Sequence, residues 1–184
     1  MTASARAEIT SEDLEASVRR TLERAIARNI PGLAPLPQTE SDLDVGPTPK
    51  EMVYSNETAR LYHYLPTQDE IYRVPVLIVM SPVAKGYILD LAKGQSLIEY
   101  LVMQGHDVYM LEWAAPRRDQ SHLSLDNYVN DLLGGCIEAV QRDSGETEVT
   151  LVGYCMGGML SLMYTARNPT GAGRNLACFK TPVN

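Results

Sequence analysis

Cysteine is scarce in this chain, and its three residues, Cys136, Cys155 and Cys178, have neither the even count of a disulfide framework nor the close pairing of a zinc site. Free thiols suit a reducing compartment. No uninterrupted apolar run reaches the ~18 residues that a membrane-spanning helix needs. The first thirty residues are charged and helical in pattern, unlike a basic stub followed by an apolar signal core, so no transmembrane segment and a cytoplasmic location are expected. Basic residues are in the minority: 16 Lys and Arg against 23 Asp and Glu give a net charge of -7, which argues against nonspecific nucleic-acid binding. Internal repeats and low-complexity segments are lacking as well.

What is present is enough apolar material, 45% of 184 residues, for one buried core preceded by a short arm. In that arm Leu14, Val18, Leu22, Ala25, Ile26 and Ile30 recur at steps of three and four, and Thr10 with Asp13 supplies a cap, so an amphipathic helix is predicted over 11–30. Pro31, Gly32, Pro35 and Pro37 end it and open a polar linker. The division expected is 1–47 for helix and linker and 48–184 for the main domain. Within that domain, 52–54 and 59–64 read as a hairpin around Asn56. Val74 to Met80 is a strand buried on both faces, Gln95 to Met103 a helix, and Asp107 to Glu112 a strand. A helix over 125–142, a strand over 148–153, a helix over 156–167 and a strand over 175–180 follow. This alternation predicts an α/β fold: a mostly parallel sheet with right-handed crossovers and helices on both faces.

One stretch carries chemistry. Val149-Thr150-Leu151-Val152 runs into Gly153-Tyr154-Cys155-Met156-Gly157-Gly158 and then into an apolar helix, the form of a nucleophile elbow with cysteine as the nucleophile. Side chains two residues to either side of a nucleophile on so sharp a turn would collide, which accounts for Gly153 and Gly157. Gly158 would let the helix approach the sheet. A helix start places Cys155 at the positive end of the helix dipole, a setting that favours thiolate. The Met156 N–H and a backbone N–H from the loop around Val83 and Ala84 are the expected oxyanion hole. A thiolate that attacks a thioester makes another thioester, so the bound acyl group stays activated for a second transfer. The blander alternative is a buried, inert cysteine in a tight turn.

Thr48-Pro49-Lys50-Glu51-Met52-Val53-Tyr54, Leu61-Tyr62-His63-Tyr64, Pro75 to Val79, Tyr87-Ile88-Leu89-Asp90-Leu91, Gly105 to Tyr109, Trp113, Leu125 to Tyr128 and Val152 to Gly158 resemble, in order and spacing, the polyhydroxyalkanoate synthases. The similarity spans about residues 46 to 184. The short arm is closest to the type that works with an accessory subunit. The resemblance implies an α/β-hydrolase-type domain that polymerises 3-hydroxyacyl groups from coenzyme A thioesters, with Cys155 carrying the acyl group. Coenzyme A would be released as a product, with no cofactor retained. The partners implied are the 3-hydroxyacyl-coenzyme A substrate, a polyester granule, an accessory synthase subunit and, for the complete enzyme, further copies in a homo-oligomer. A thiol hydrolase of the dienelactone hydrolase kind, which shares the Gly-Tyr-Cys-x-Gly-Gly elbow, and a noncatalytic remnant that associates with granules or subunits are the competing readings.

Two departures stand out. Ala84 and Gly86 occupy loop positions where the synthases more often have Asn and an aromatic, respectively. In this fold an acid and then a histidine follow the nucleophile in the chain, yet residues 156–184 contain no His, Asp or Glu. A C-terminally truncated synthase, with little activity of its own, is therefore expected. All three histidines precede Cys155: His106 is assigned a structural role, His122 a surface position, and His63 no part as the base. Asp90 and Asp126 are expected to cap helices. Met156, Met159, Leu160 and Met163 are expected in the core, Cys136 and Cys178 as buried thiols, Arg117 and Arg118 in a solvated loop, Tyr154 beside the acyl pocket, and Trp113 in packing.

Overall fold

In the computed structural model, residues 45–182 are described, all of them inside the unit Asp44–Asn184. The helix expected over 11–30 and its linker lie outside the described residues.

The hairpin forms as β1 (Lys50–Asn56) and β2 (Ala59–Tyr64), antiparallel, with Glu51 opposite His63. β3 (Val76–Val79) is the apolar run Val-Leu-Ile-Val, buried at every position as a strand covered on both faces must be. A 3-10 turn over Gly86–Leu89 and a small hairpin of β4 (Asp90–Ala92) and β5 (Gln95–Ser96) lead into α1 (Leu97–Met103). That helix starts where it does because Ser96 Oγ accepts the Glu99 N–H at 2.9 Å, while Glu99 reaches back to the Gly94 N–H at 2.6 Å. β6 (Val108–Trp113) follows. The predicted second helix is a π-helical turn over Asn127–Leu133 that continues as α2 (Gly134–Ser144). β7 (Val149–Tyr154), α3 (Met156–Arg167) and β8 (Gly173–Phe179) are the last of the described elements.

The main sheet runs β1-β2-β6-β3-β7-β8, with β6, β3, β7 and β8 parallel, β2 antiparallel to that set and β1 antiparallel to β2. From β3 the chain crosses to β6 on one side, then returns past β3 to β7 and moves on to β8. Right-handed crossovers therefore put α1 on one face and α2 and α3 on the other. This reversal makes the gap between the carboxyl ends of β3 and β7 a topological switch point, the crevice in which open α/β sheets place their ligands. The core fills both faces: Leu77, Ile78, Tyr109, Met110 and Leu111 are fully buried in the central strands, and Ile98, Leu133 and Val140 are buried on the helices.

Several side chains lie elsewhere than expected. Asp90 caps no helix. It is fully buried where β4 begins, and it accepts from the Thr48 N–H at 3.1 Å, Thr48 Oγ1 at 2.8 Å and Ser96 Oγ at 2.6 Å, so it ties the entry of the domain to the small hairpin. Asp126 precedes the π turn but makes no capping bond. Its carboxylate takes the Asn130 amide at 2.8 Å and pairs with Arg167 at 3.4 Å. Met156 is exposed rather than in the core, because it is the first residue of α3 at the rim of the sheet, and Cys178 is exposed on the strand at the sheet edge. Cys136 is buried as expected, and burial pushes its thiol up to about 12.

Candidate active site

The strand β7 ends at Tyr154, the helix α3 begins at Met156, and Cys155 alone makes the turn between them. Its backbone sits at φ 55 and ψ -122, a region that a side chain bearing Cβ occupies only at a cost of about 1–3 kcal/mol. The surroundings over-determine that strain. The Cys155 N–H donates to the Phe179 carbonyl at 2.8 Å, and the Cys155 carbonyl accepts the Gly158 N–H at 3.0 Å. The side chain is left half-buried at the sheet's carboxyl edge.

The three glycines are required by contact. A Cβ on Gly153 would run into Gly158 Cα and, at 2.7 Å, Gly158 N; one on Gly157 would overlap the Val79 carbonyl oxygen and lie 2.7 Å from that of Met80. One on Gly158 would strike Thr181. Gly157 is thus where α3 touches the end of β3, and Gly153 with Gly158 is where α3 folds back on β7. Close approach of the helix explains all three.

The Met156 N–H, as the first amide of α3, has no intrahelical acceptor, and none takes it among the described residues. The second expected donor lies on the loop that leaves β3. Val79 is in register with Gly153, so Ser81 to Ala84 emerge beside the elbow across the switch point. In that loop the Ala84 N–H is committed to a turn, donating to the Ser81 carbonyl at 3.0 Å. The Val83 N–H meets only Ser81 Oγ at 3.4 Å, longer than an ordinary bond. Ser81 is fully buried and Val83 exposed.

None of the three histidines is a partner for Cys155 in the hydrogen bonds of the described residues. His63 lies at the opposite, amino edge of the sheet, with Nε2 2.7 Å from Asp107 Oδ1, Nδ1 3.3 Å from Asp143 Oδ2, and its ring stacked on Tyr109 at 4.2 Å. The Tyr109 hydroxyl also donates to Asp143, at 2.8 Å. Burial, the largest single influence on His63, opposes its charge; the bond to Asp107 and the charges of Asp107, Asp143 and Glu51 outweigh it, so its pKa is raised. His106 rests against Tyr72 at 4.9 Å, and exposed His122 places Nδ1 3.1 Å from the Asp119 carbonyl oxygen. Arg117 forks onto Asp119 in an exposed loop.

The sequence reading missed the His63, Asp107 and Asp143 cluster. Its only trace was a histidine inside a strand and two carboxylates at the ends of other elements, and nothing in the chain order brings them together.

A strained turn between a parallel strand and a helix, carrying a thiol at the switch point of the sheet, is the architecture of an α/β-hydrolase-fold protein. Residues 86–172 match the family model described as the alpha/beta hydrolase fold. Solved structures agree on the fold: a probable hydrolytic enzyme of Pseudomonas aeruginosa superposes with a TM-score of 0.53 at 14% identity, covering 74% of this chain and 42% of that one. An epoxide hydrolase of Vigna radiata gives 0.51 at 17% identity, over 74% and 39%.

Sequence narrows the class. Residues 20–101 match the model of the poly-beta-hydroxybutyrate polymerase (PhaC) N-terminus. Poly(3-hydroxyalkanoate) polymerase subunits PhaC align as well. That of Haloferax mediterranei is 42% identical over 132 residues, 72% of this chain and 27% of the relative; that of Synechocystis is 37% identical, over 79% and 38%. The subunit of Allochromatium vinosum is 37% identical, over 77% and 40%. This chain is a relative of the N-terminal part of the poly(3-hydroxyalkanoate) polymerases, and it spans between 27% and 40% of the length of these three. Among the described residues no helix is long and apolar enough to cross a membrane.

Proposed function

We propose that the protein serves acyl transfer from 3-hydroxyacyl-coenzyme A, with Cys155 as the acyl carrier in polyhydroxyalkanoate synthesis. The observation that carries this reading is the backbone of Cys155, a non-glycine residue held at positive φ between strand and helix in a relative of the polymerases. In the step envisaged the sulfur attacks the thioester carbonyl, and charge develops on the carbonyl oxygen between the N–H groups of Met156 and Val83. The bond to the coenzyme A sulfur then breaks. Coenzyme A leaves as a thiol, taking up the proton that Cys155 gave up, and the acyl group remains as a thioester on Cys155. The hydroxyl of a second 3-hydroxyacyl group accepts it to form the ester.

That second attack calls for a general base to take the hydroxyl proton. Residues 156–184 hold no His, Asp or Glu, and His63 is engaged at the other edge, so the base of our reading is not among residues 1–184. The chain by itself is then an acyl acceptor that loads once and turns over little. An accessory subunit, the granule surface and association with further copies belong to this reading through the relatives, which are named as polymerase subunits.

Incubating the purified chain with 3-hydroxybutyryl-coenzyme A, while following free coenzyme A and the mass of the Cys155 peptide, tests this. At most one equivalent of coenzyme A is expected, matched by acyl mass on Cys155 and absent from Cys155→Ala. Sustained turnover that Cys155→Ala abolishes would overturn the missing base. Release of free 3-hydroxybutyrate without acyl transfer would favour the thiol hydrolase.

A further inference from the structure

We propose that Trp113 is a positioning residue for the oxyanion loop: its indole N–H holds the Met80 carbonyl and thereby sets where β3 ends and where the Val83 N–H is presented. The proposal rests on the reading of Cys155 as an acyl-accepting nucleophile.

In the parallel ladder between β3 and β6, Val79 lies opposite Leu111, and the Met80 N–H still donates to the Leu111 carbonyl at 3.1 Å. One step further the ladder stops. The strand β3 must peel away there so that Ser81 to Ala84 can turn toward the elbow, and the carbonyl of Met80 is left at the break. Trp113 Nε1 donates to it at 2.7 Å, a short bond in a buried setting, so a side chain takes the place of the next strand amide. Met80 is fully buried and Trp113 nearly so, which leaves water little access to satisfy that carbonyl.

The same carbonyl is one of the two that Gly157 abuts. One backbone oxygen is therefore fixed from the β6 side by the indole and lies directly beneath the first turn of α3. It is three residues from Val83 and two residues from Cys155 through Gly157. The elbow and the donor loop share this reference point. The Trp113 ring is held in turn by Tyr128 of the π turn, 5.1 Å between centroids, and the Ala114 N–H donates to the Thr58 carbonyl at 2.7 Å, so the tryptophan is braced on both sides.

Two reagents separate positioning from mere packing in the purified chain. Iodoacetamide alkylates a thiol without adding to a carbonyl and needs no oxyanion donor. In p-nitrophenyl acetate the sulfur forms its bond to the acetyl carbon, the bond to the phenolic oxygen breaks, nitrophenolate leaves and the thiol proton passes to solvent. Exposed Cys178, outside the elbow, is the internal reference, and peptide mass spectrometry reads both thiols. In the wild-type chain the ratio of acylation to alkylation at Cys155 should exceed that at Cys178 by about tenfold or more, as oxyanion donors imply. Equal ratios would sink the nucleophile reading itself, and this inference with it.

If the wild-type result holds, Trp113→Phe, which keeps the ring and removes the N–H, should lower the Cys155 ratio about tenfold through acylation, a fraction of what outright loss of a donor costs. Its alkylation rate should stay put. Tyr128→Leu, which loosens the packing and leaves the N–H, should not move the ratio. An unchanged ratio in Trp113→Phe, or an equal fall in both variants, overturns the positioning role and leaves the nucleophile reading standing. Should Trp113→Phe lose its cooperative thermal transition, Tyr128→Leu decides: a roughly tenfold fall there overturns the proposal.

Discussion

The two edges of the sheet are built on opposite principles. At the carboxyl edge Cys155 sits at positive φ, three glycines remove side chains where α3 meets the strands, Met156 and Val83 are exposed, and backbone amides are left without strong partners. At the amino edge the charges are matched: Asp107 and Asp143 flank His63, and Arg73, Glu146, Glu148 and Arg174 bridge the entries to β3, β7 and β8. One edge stores strain and open donors, as reactive sites do, while the other joins the strand entries and stays closed.

The contrast can be broken most strongly at Gly157. Gly157→Ala forces a methyl group into the carbonyls of Val79 and Met80, and neither backbone can yield without moving β3 or α3. A loss of about 3 kcal/mol is expected, the upper end for overpacking, and urea unfolding measures it. A change within error would mean that α3 does not lie against the sheet as described.

At the other edge, His63→Phe preserves the stack on Tyr109 and leaves the buried Asp107 carboxylate without its cation. About 2 kcal/mol should be lost. The wild-type protein carries a pH signature of the same cluster. Because the folded state raises the His63 pKa above its unfolded value near 6.5, the stabilisation is fully present below that value and fades as pH rises through the folded pKa. Stability measured from pH 6 upward should fall through that window in the wild type and show a flatter profile in His63→Phe. Profiles of the same slope would remove His63 as the titrating group.

The smallest effect has the opposite sign. Cys155→Gly relieves the positive φ and should stabilise the chain by about 1 kcal/mol while removing acyl acceptance, the trade expected where strain serves reactivity. A destabilised Cys155→Gly would show that the cysteine side chain contributes more packing than its backbone costs.

Much of the fold was legible in the chain because its signals are local. The run Val76 to Val79 is apolar throughout, as a strand covered on both faces requires, and the helix after Cys155 begins at Met156 and ends at Arg167 as its pattern predicts. The elbow was legible for the same reason, since strand, turn and helix are contiguous and the glycines stand at fixed offsets. Asp90 was misread as a helix cap because its partners, Thr48 and Ser96, come together only when the domain entry closes over the small hairpin. Met156 was misread as core because helical spacing reports a face and says nothing of how far the first turn projects beyond the sheet.

By itself the sequence determined the order of the main-sheet strands and the helices between them, and the sharp turn at Cys155, because periodicity and steric demands on neighbouring residues act along the chain; the small hairpin of β4 and β5 it did not show. Only the tertiary structure decided that the crossing direction reverses at β3, that Trp113 closes the ladder over Met80, and that His63 belongs to the far edge. Those facts depend on contacts between residues 30 to 80 positions apart, which no local pattern encodes.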